Sequence, residues 1–185
     1  MSRGLGSPSL PQSALDSPGL PLVVKPTRGG SALCLTIVRS AEQLPFAMVT
    51  SYAYGEVAMI EQFVEGVEVA VSIVEDDQGE AQTLPAVEIV PDGGVYSYEA
   101  RYTAGATEFF TPARLSSPAS ASASAASLPA YRTLGPQHLS RVDLIIDANA
   151  RPWFLGANVS PGMPETAGLP RAAAGARVEA SGVSP

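Results

Sequence analysis

The chain has 185 residues, 45% of them hydrophobic and 16% charged, which is enough for one ordinary domain or two small ones with a packed core. A net charge of −7 argues against a basic nucleic-acid-binding surface, and a single cysteine excludes an internal disulfide and an all-cysteine zinc site. Because there is no bilayer-length apolar run and no apolar core of a secretory signal near residue 1, we expect a soluble cytoplasmic protein with neither a nucleic acid nor a membrane as partner.

The pattern of apolar runs and turn residues predicts a β-rich chain. Residues 1–19 are rich in Ser, Pro and Gly and are expected to form a disordered leader. Ser40 can cap a helix that ends near Gly55, with Pro45 limiting how that helix begins. Five apolar runs bounded by turn residues predict strands. They cover residues 20–25, 35–38, 57–64, 67–74 and 84–90.

A low-complexity segment, SSPASASASAASLP, occupies residues 116–129. Alanine favours a helix, whereas the interleaved serines compete for backbone hydrogen bonds, so either a frayed helix or a flexible linker fits the composition. Because no apolar stripe at helical spacing is visible, we expect this to be the least packed internal segment. The chain closes with an alanine-rich helical stub and a tail over residues 171–185.

A β-hairpin is predicted around the turn at residues 148–151, between strands at 138–147 and 152–158. The pairs expected from this turn are Asp147–Pro152, Ile145–Phe154 and Asp143–Gly156. Alternation along the strands then places Asp143 and Asn158 on one face. Their oxygen atoms suit a hard cation such as Mg²⁺, but the pattern by itself also fits an Asp and an Asn on the solvated face of a sheet.

One lysine stands among ten arginines. Lys25 ends the first predicted strand and precedes a loop of small residues. A compact ammonium that must reach a phosphate is not replaced well by a guanidinium, which would explain why this position kept its lysine. Compositional drift toward arginine explains the count as well, so the count by itself leaves both explanations open.

Four stretches together resemble a known family. They occur in the order and at the spacing seen in D-alanine–D-alanine ligases, over about residues 19–170. The stretches are VVKPTRGGSALCLTIV, MIEQFVEGVEVAVSIV, VYSYEARYTAGATEFFTPA and RVDLIID…PWFLGANVSPGMPET. The resemblance implies an α+β ATP-grasp fold, in which two α+β subdomains hold ATP in a cleft between antiparallel sheets. The central subdomain would cover residues 20–66 and the C-terminal subdomain residues 67–170, with the family's N-terminal domain missing.

The resemblance also implies an activity. Such ligases use ATP and Mg²⁺, or Mn²⁺, to activate one D-alanine as an acyl phosphate. The amine of a second D-alanine then attacks it, which gives the D-alanyl-D-alanine used in peptidoglycan synthesis. ATP and D-alanine would be the small-molecule partners, and the family implies a homodimer.

Nucleotide-binding roles carry over position by position. Lys25 would reach the α and β phosphates, and Arg101, at a position usually filled by lysine, would face the transferring phosphate. The adenine hinge and the ribose contact would come from Glu61, Phe63, Val64 and Glu68. Lys25 is expected to face the Asp143–Gly156 pair across the cleft.

Catalytic and metal-binding roles carry over in the same way. Ser31 and Tyr102 would close the loop over the phosphates. Arg141 and the backbone N–H of Gly162 would stabilise the tetrahedral centre. The metal ligands would be Asp143 and Asn158.

Several positions depart from the family pattern. Gly156 stands where the family has a glutamate that bridges two Mg²⁺ ions, and Cys34 stands where the family has a loop glycine that needs a positive φ. Ala167 and Gly168 replace a Ser-Leu pair that would hold the second D-alanine. These departures leave a second hypothesis open, a catalytically inactive nucleotide-binding remnant or partner-binding module. An unrelated β-rich binding protein would require four coincident motifs.

Overall fold

The computed structural model describes residues 19–76, 78–136 and 138–159. The chain divides into two compact units, with unit 1 ending at Phe63 and unit 2 beginning at Val64. The expected disordered leader lies outside the described residues except for Gly19, and the tail at 171–185 lies outside them entirely. Within the described ranges, no helix is both long and apolar enough to cross a membrane.

Unit 1 is a three-stranded antiparallel sheet with one helix, α1, at Leu44–Tyr52. The strand order is β2-β1-β3. The strands are β1 (Leu22–Pro26), β2 (Thr36–Val38) and β3 (Ala58–Gln62). A 3₁₀ turn at Ala41–Gln43 leads into α1, because the Gln43 side chain accepts the backbone N–H groups of Arg39 and Ser40. Ser40 therefore begins this turn, and the α-helix itself starts four residues later.

The two faces of the unit 1 sheet differ in chemistry. Leu22 and Val24 of β1 are fully buried and form a core with residues of α1. Alternation along the strand puts Val23 and Lys25 on the opposite face, and Glu61 joins them because it is the β3 partner of Val23. The predicted strands of this unit are confirmed, and they present a charged pair on the face away from the helix.

Unit 2 is a six-stranded antiparallel sheet in the order β7-β6-β4-β8-β9, with β5 paired to the end of β4. The strands are β4 (Val67–Glu75), β5 (Ala81–Thr83), β6 (Val87–Pro91), β7 (Thr107–Phe110), β8 (Leu139–Ile146) and β9 (Pro152–Asn158). Helix α2 (Tyr98–Tyr102) lies in the β6–β7 connection, and helix α3 (Ser117–Leu134) precedes β8. A turn follows β4, in which the Gly79 N–H donates to the Asp76 carbonyl at 2.9 Å.

The expectation of weak packing over residues 116–129 is wrong. This segment lies within the continuous helix α3, and one side of that helix is buried against the sheet. The buried residues recur every four positions: Ala119, Ala123, Ser127 and Tyr131. The stripe consists of small side chains, which bring the helix close to the strands. The serine is satisfied inside the helix, because its hydroxyl donates to the Ala123 carbonyl at 2.8 Å.

Enlarging this stripe should destabilise the protein. We expect Ala123→Leu to lower the free energy of unfolding by about 1–3 kcal/mol, because Ala123 is fully buried between helix and sheet and a larger side chain would force them apart. Urea unfolding followed by the fluorescence of Trp153, the chain's only tryptophan, measures the change. Ala125→Leu, on the exposed side of the same helix, is the matched control. Equal stability of the two variants would contradict the packing described.

Candidate functional site

In unit 1, the candidate site is a charged pair on the open face of the sheet. The Lys25 ammonium lies 2.6 Å from a carboxylate oxygen of Glu61. The lysine side chain is 23% exposed and the glutamate side chain 42% exposed, so both remain accessible to a ligand. The pair holds the ammonium at the end of β1, where the sequence predicts a phosphate contact.

The loop between β1 and β2 is held in an unusual backbone conformation. Ser31, Ala32 and Cys34 all have φ between 56° and 58°, in the left-handed region that glycine usually occupies. The expectation that position 34 requires a positive φ is therefore confirmed, and a cysteine meets the requirement here. Leu33 and Leu35 donate backbone hydrogen bonds that tighten the loop around Ser31.

Phe63, in the predicted adenine hinge, is the last residue of unit 1. Its backbone N–H donates to the Pro21 carbonyl at 3.0 Å, and the Arg39 guanidinium lies 5.7 Å from the centre of its ring. This N–H is therefore already satisfied within the unit.

In unit 2, the predicted hairpin forms, with one of its three predicted pairs in register. Asp143 pairs with Gly156, as expected. The other two expected pairs are wrong by one residue, because a β-bulge between Asp143 and Leu144 shifts the strands. The observed pairs beyond the bulge are Leu144–Phe154, Ile145–Trp153 and Ile146–Pro152. Asp143 and Asn158 nevertheless lie on one face of the sheet, as predicted. Asn158 pairs with Arg141, which is two residues from Asp143 on the same strand.

Arg141 and Asp143 form a bidentate ion pair on that face. The arginine Nε and Nη2 donate to the two carboxylate oxygens at 2.7 and 2.8 Å. Both side chains are about four-fifths buried, at 20% and 18% exposure. Burial acts to lower the pKa of Arg141, but the hydrogen bonds and charge of Asp143 outweigh it and the pKa is raised. The guanidinium is thus fixed in place and permanently charged.

Arg101 brings a second guanidinium to the candidate site in unit 2. Its Cζ lies 3.8 Å from the centre of the Tyr96 ring, and its Nη2 lies 3.9 Å from a carboxylate oxygen of Glu68. That separation is an ion pair but too long for a hydrogen bond. The Nε–H is buried and has no acceptor among the described residues. The group is therefore held in position with an unused buried donor.

Glu68 carries the largest upward carboxyl shift among the described residues. Burial raises its pKa from 4.5 to about 7, against the lowering effect of Arg101; Asp143 raises it further and Arg141 lowers it. Glu68 lies on β4, opposite Ile145 of β8, so it shares the sheet face of Arg141 and Asp143. Two carboxylates and two guanidiniums therefore act on one another on this face, which is opposite to the face covered by α3.

Comparison with known proteins identifies the family. A family model described as the D-ala D-ala ligase C-terminus matches residues 7–183. The chain belongs to this family. The D-alanine–D-alanine ligase of Pelotomaculum thermopropionicum is 38% identical over 161 residues, which are 87% of this chain and 50% of that protein. The ligase of Nitrosomonas eutropha is 37% identical over 173 residues, 94% of this chain and 53% of that protein. The chain spans about half the length of these curated relatives.

Solved structures of the family share this fold. The D-alanine–D-alanine ligase of Bacillus anthracis matches with a TM-score of 0.74 and 28% identity, over 92% of this chain and 54% of that chain. The same organism's ligase complexed with ATP matches with a TM-score of 0.67 and 25% identity, over 96% of this chain and 51% of that chain. The VanG D-Ala:D-Ser ligase of Enterococcus faecalis matches with a TM-score of 0.73 and 26% identity, over 84% of this chain and 45% of that chain. The implied α+β fold with antiparallel sheets, that of ATP-grasp ligases, is confirmed.

The metal ligands implied by the family do not fit a two-ion site in this chain. Asp143 already uses both oxygens on Arg141, and Gly156 supplies no ligand. Asn158 contributes at most a neutral amide oxygen. Within the described ranges, no three His, Cys, Asp or Glu side chains lie close enough together to hold a metal ion. The bridging carboxylate on which a two-metal site depends is absent.

The remaining site residues are placed as follows. Tyr102 ends helix α2 and is 66% exposed, with its ring 4.7 Å from that of Tyr98. Gly162 lies outside the described residues. Sequence reasoning missed Tyr96, on which Arg101 stacks and which packs edge-on against Phe109. The signal was available, since Tyr96 lies within the VYSYEARY stretch, five residues before the arginine.

Gly66 positions Glu68 by allowing a close approach of two strands. A Cβ built on Gly66 would clash with the Ile146 carbonyl oxygen and lie 2.7 Å from Cγ2 of Ile145. We expect Gly66→Ala to lower the free energy of unfolding of unit 2 by about 1–3 kcal/mol, because the backbone of β8 must shift. Urea unfolding followed by Trp153 fluorescence measures this. Gly93→Ala is the control, since a Cβ there meets nothing within 4 Å. Similar losses for both variants would refute the close-approach argument.

Proposed function

We propose that this chain carries the ATP-binding part of a D-alanine–D-alanine ligase. One observation carries the proposal beyond family membership. Arg101 is stacked on Tyr96 with its side chain 19% exposed, and its buried Nε–H has no acceptor among the described residues. A buried donor on a fixed cation is costly unless an anion uses it, and a nucleotide phosphate is such an anion.

The other residues support the same ligand. Lys25 would bind phosphate oxygens once its ammonium turns from Glu61, and Ser31 would lie in the loop that covers them. Glu68 would accept hydrogen bonds from the ribose hydroxyls. Glu61 and Phe63 would belong to the adenine hinge together with Val64, and Tyr102 would close the loop.

The proposed reaction has two steps. A carboxylate oxygen of the first D-alanine attacks the γ-phosphorus of ATP, and the bond to the β-γ bridging oxygen breaks to release ADP. The amine of the second D-alanine then attacks the acyl carbon and phosphate leaves. Arg101 would stabilise the charge on the phosphoryl group in flight. Arg141, held by Asp143 through Nε and Nη2, would present Nη1 to the tetrahedral oxyanion, together with the N–H of Gly162.

A second candidate function is nucleotide binding without catalysis. Gly156 favours it, because the family's bridging carboxylate is absent opposite Asp143. The location proposed for either function is the cytoplasm, and the assembly is a homodimer by family resemblance.

The two functions are separated by measuring binding and turnover on one sample. We expect calorimetric titration of the 185-residue chain with ATP to show binding. We expect a dipeptide assay with ATP, Mg²⁺ and D-alanine to show a rate lower by orders of magnitude than the about 1–10³ s⁻¹ of ordinary enzymes. The physical reason is that phosphoryl transfer needs accurate placement of two anions. Absence of ATP binding would reject the proposed function, and dipeptide formation at an ordinary rate would reject the non-catalytic alternative.

A further inference from the structure

We propose that unit 2 neutralises the anionic groups of its ligand with arginines instead of a divalent metal ion, so that nucleotide binding by this chain is largely independent of Mg²⁺. The part concerning nucleotide rests on the proposed function. The part concerning metal stands on the residues around Asp143 alone.

Asp143 is already occupied by a cationic side chain. Both of its carboxylate oxygens accept hydrogen bonds from Arg141, at 2.7 and 2.8 Å. Such bidentate charge-assisted pairs are among the strongest hydrogen-bonded contacts in proteins. A cation that binds this carboxylate must compete with a guanidinium that lies four-fifths buried on the same strand.

The position opposite Asp143 has space for a side chain but carries none. Gly156 is its partner on β9, and a Cβ built there would meet nothing within 4 Å. The backbone therefore leaves room for a side chain at this position, while the sequence supplies none. A ligating carboxylate is missing, although the site could accommodate one.

The charges on this face of the sheet balance one another. The acidic groups Glu68 and Asp143 are matched by Arg101 and Arg141, so the cluster carries no net negative charge with all four ionised. Hard divalent cations are held by several anionic or carbonyl oxygens, which this cluster does not offer. The Nε–H of Arg101, without an acceptor among the described residues, is instead offered to an anion. A guanidinium can engage phosphate oxygens through two parallel hydrogen bonds.

Manganese binding tests the metal part without nucleotide. Electron paramagnetic resonance titration of the full chain with Mn²⁺ should show no saturable site below about 1 mM. Gly156→Glu should gain a saturable site, whereas Gly156→Gln, of equal size but neutral, should not. Saturable micromolar Mn²⁺ binding by the unsubstituted chain would overturn the inference. If Gly156→Glu stays folded by circular dichroism but gains no site, the missing carboxylate is not the reason, and the argument from Gly156 fails.

Nucleotide titration tests the second part. The Kd for ATP should differ by less than about threefold between Mg²⁺ and EDTA buffers for the unsubstituted chain, and by about tenfold or more for Gly156→Glu. Tenfold tighter binding in Mg²⁺ by the unsubstituted chain would contradict the inference. If ATP binds in neither buffer, the proposed function fails, while the Mn²⁺ titration still decides the metal question.

Discussion

Lys25→Met is expected to weaken ATP binding by about tenfold to a hundredfold. The ammonium is the group that we assign to the phosphates, and loss of a hydrogen-bonded charge to an anion costs about 1.5–3 kcal/mol. Methionine keeps the length and apolar stem of the side chain. Glu61, the present partner of the lysine, is 42% exposed, so water can solvate it and unit 1 should remain folded. Isothermal titration of both chains with ATP gives the ratio of Kd values.

Arg132→Met is the matched control for that substitution. It removes one positive charge from an exposed position of α3, on the side of the sheet opposite Glu68 and Arg101. Its Kd for ATP should stay within about twofold of that of the unsubstituted chain, since a distant exposed charge is screened. Equal weakening by both substitutions would mean that Lys25 acts only through net charge.

Glu68 should make the stability of unit 2 depend on pH. Burial raises its pKa from 4.5 to about 7, so the folded state binds the proton more tightly than the unfolded state does. The stabilisation is fully present below pH 4.5 and is lost as the pH rises through 7. The loss amounts to about 3 kcal/mol for a shift of this size. Glu68→Gln has no such proton to lose and should be the more stable chain above pH 7.

Urea unfolding at pH values from 4.5 to 8, followed by Trp153 fluorescence, measures this difference. The difference in free energy of unfolding between Glu68→Gln and the unsubstituted chain should grow in favour of the variant across that range. Glu80→Gln, at an exposed position after β4, is the control and should leave the slope unchanged. Parallel curves for the unsubstituted chain and Glu68→Gln would show that Glu68 is not buried as described.

The hairpin shows how far the sequence predicts the site. Alternation alone places Asp143 opposite Gly156 and on one face with Asn158, and both placements are confirmed. The pairs nearer the turn are wrong because a bulge beside Gly156 adds one residue to β9, and alternation alone does not detect it. The sequence therefore predicts the chemistry of this face better than the register of its strands.

Helix α3 and Arg101 show what sequence patterns do not reveal. The buried stripe of α3 consists of alanine and serine with one tyrosine, so a search for large apolar residues at helical spacing does not detect it. The position of Arg101 is predicted from the family resemblance. Its stacking on Tyr96, its Nε–H without an acceptor in the part of the chain that the structure describes, and the raised pKa of Glu68 depend on burial and on contacts between β4, α2 and the segment before it. Such tertiary effects are not encoded in residue spacing.

The chain's only lysine permits a direct test of ATP binding at the predicted phosphate contact. An amine-reactive reagent can modify Lys25 and the N-terminal amine, and mass spectrometry separates the two sites. We predict that saturating ATP slows modification of Lys25 about tenfold or more while the rate at the N-terminal amine is unchanged, because a bound phosphate would cover the ammonium. Modification of Lys25 at the same rate with and without saturating ATP would contradict the claim that this chain binds ATP through Lys25.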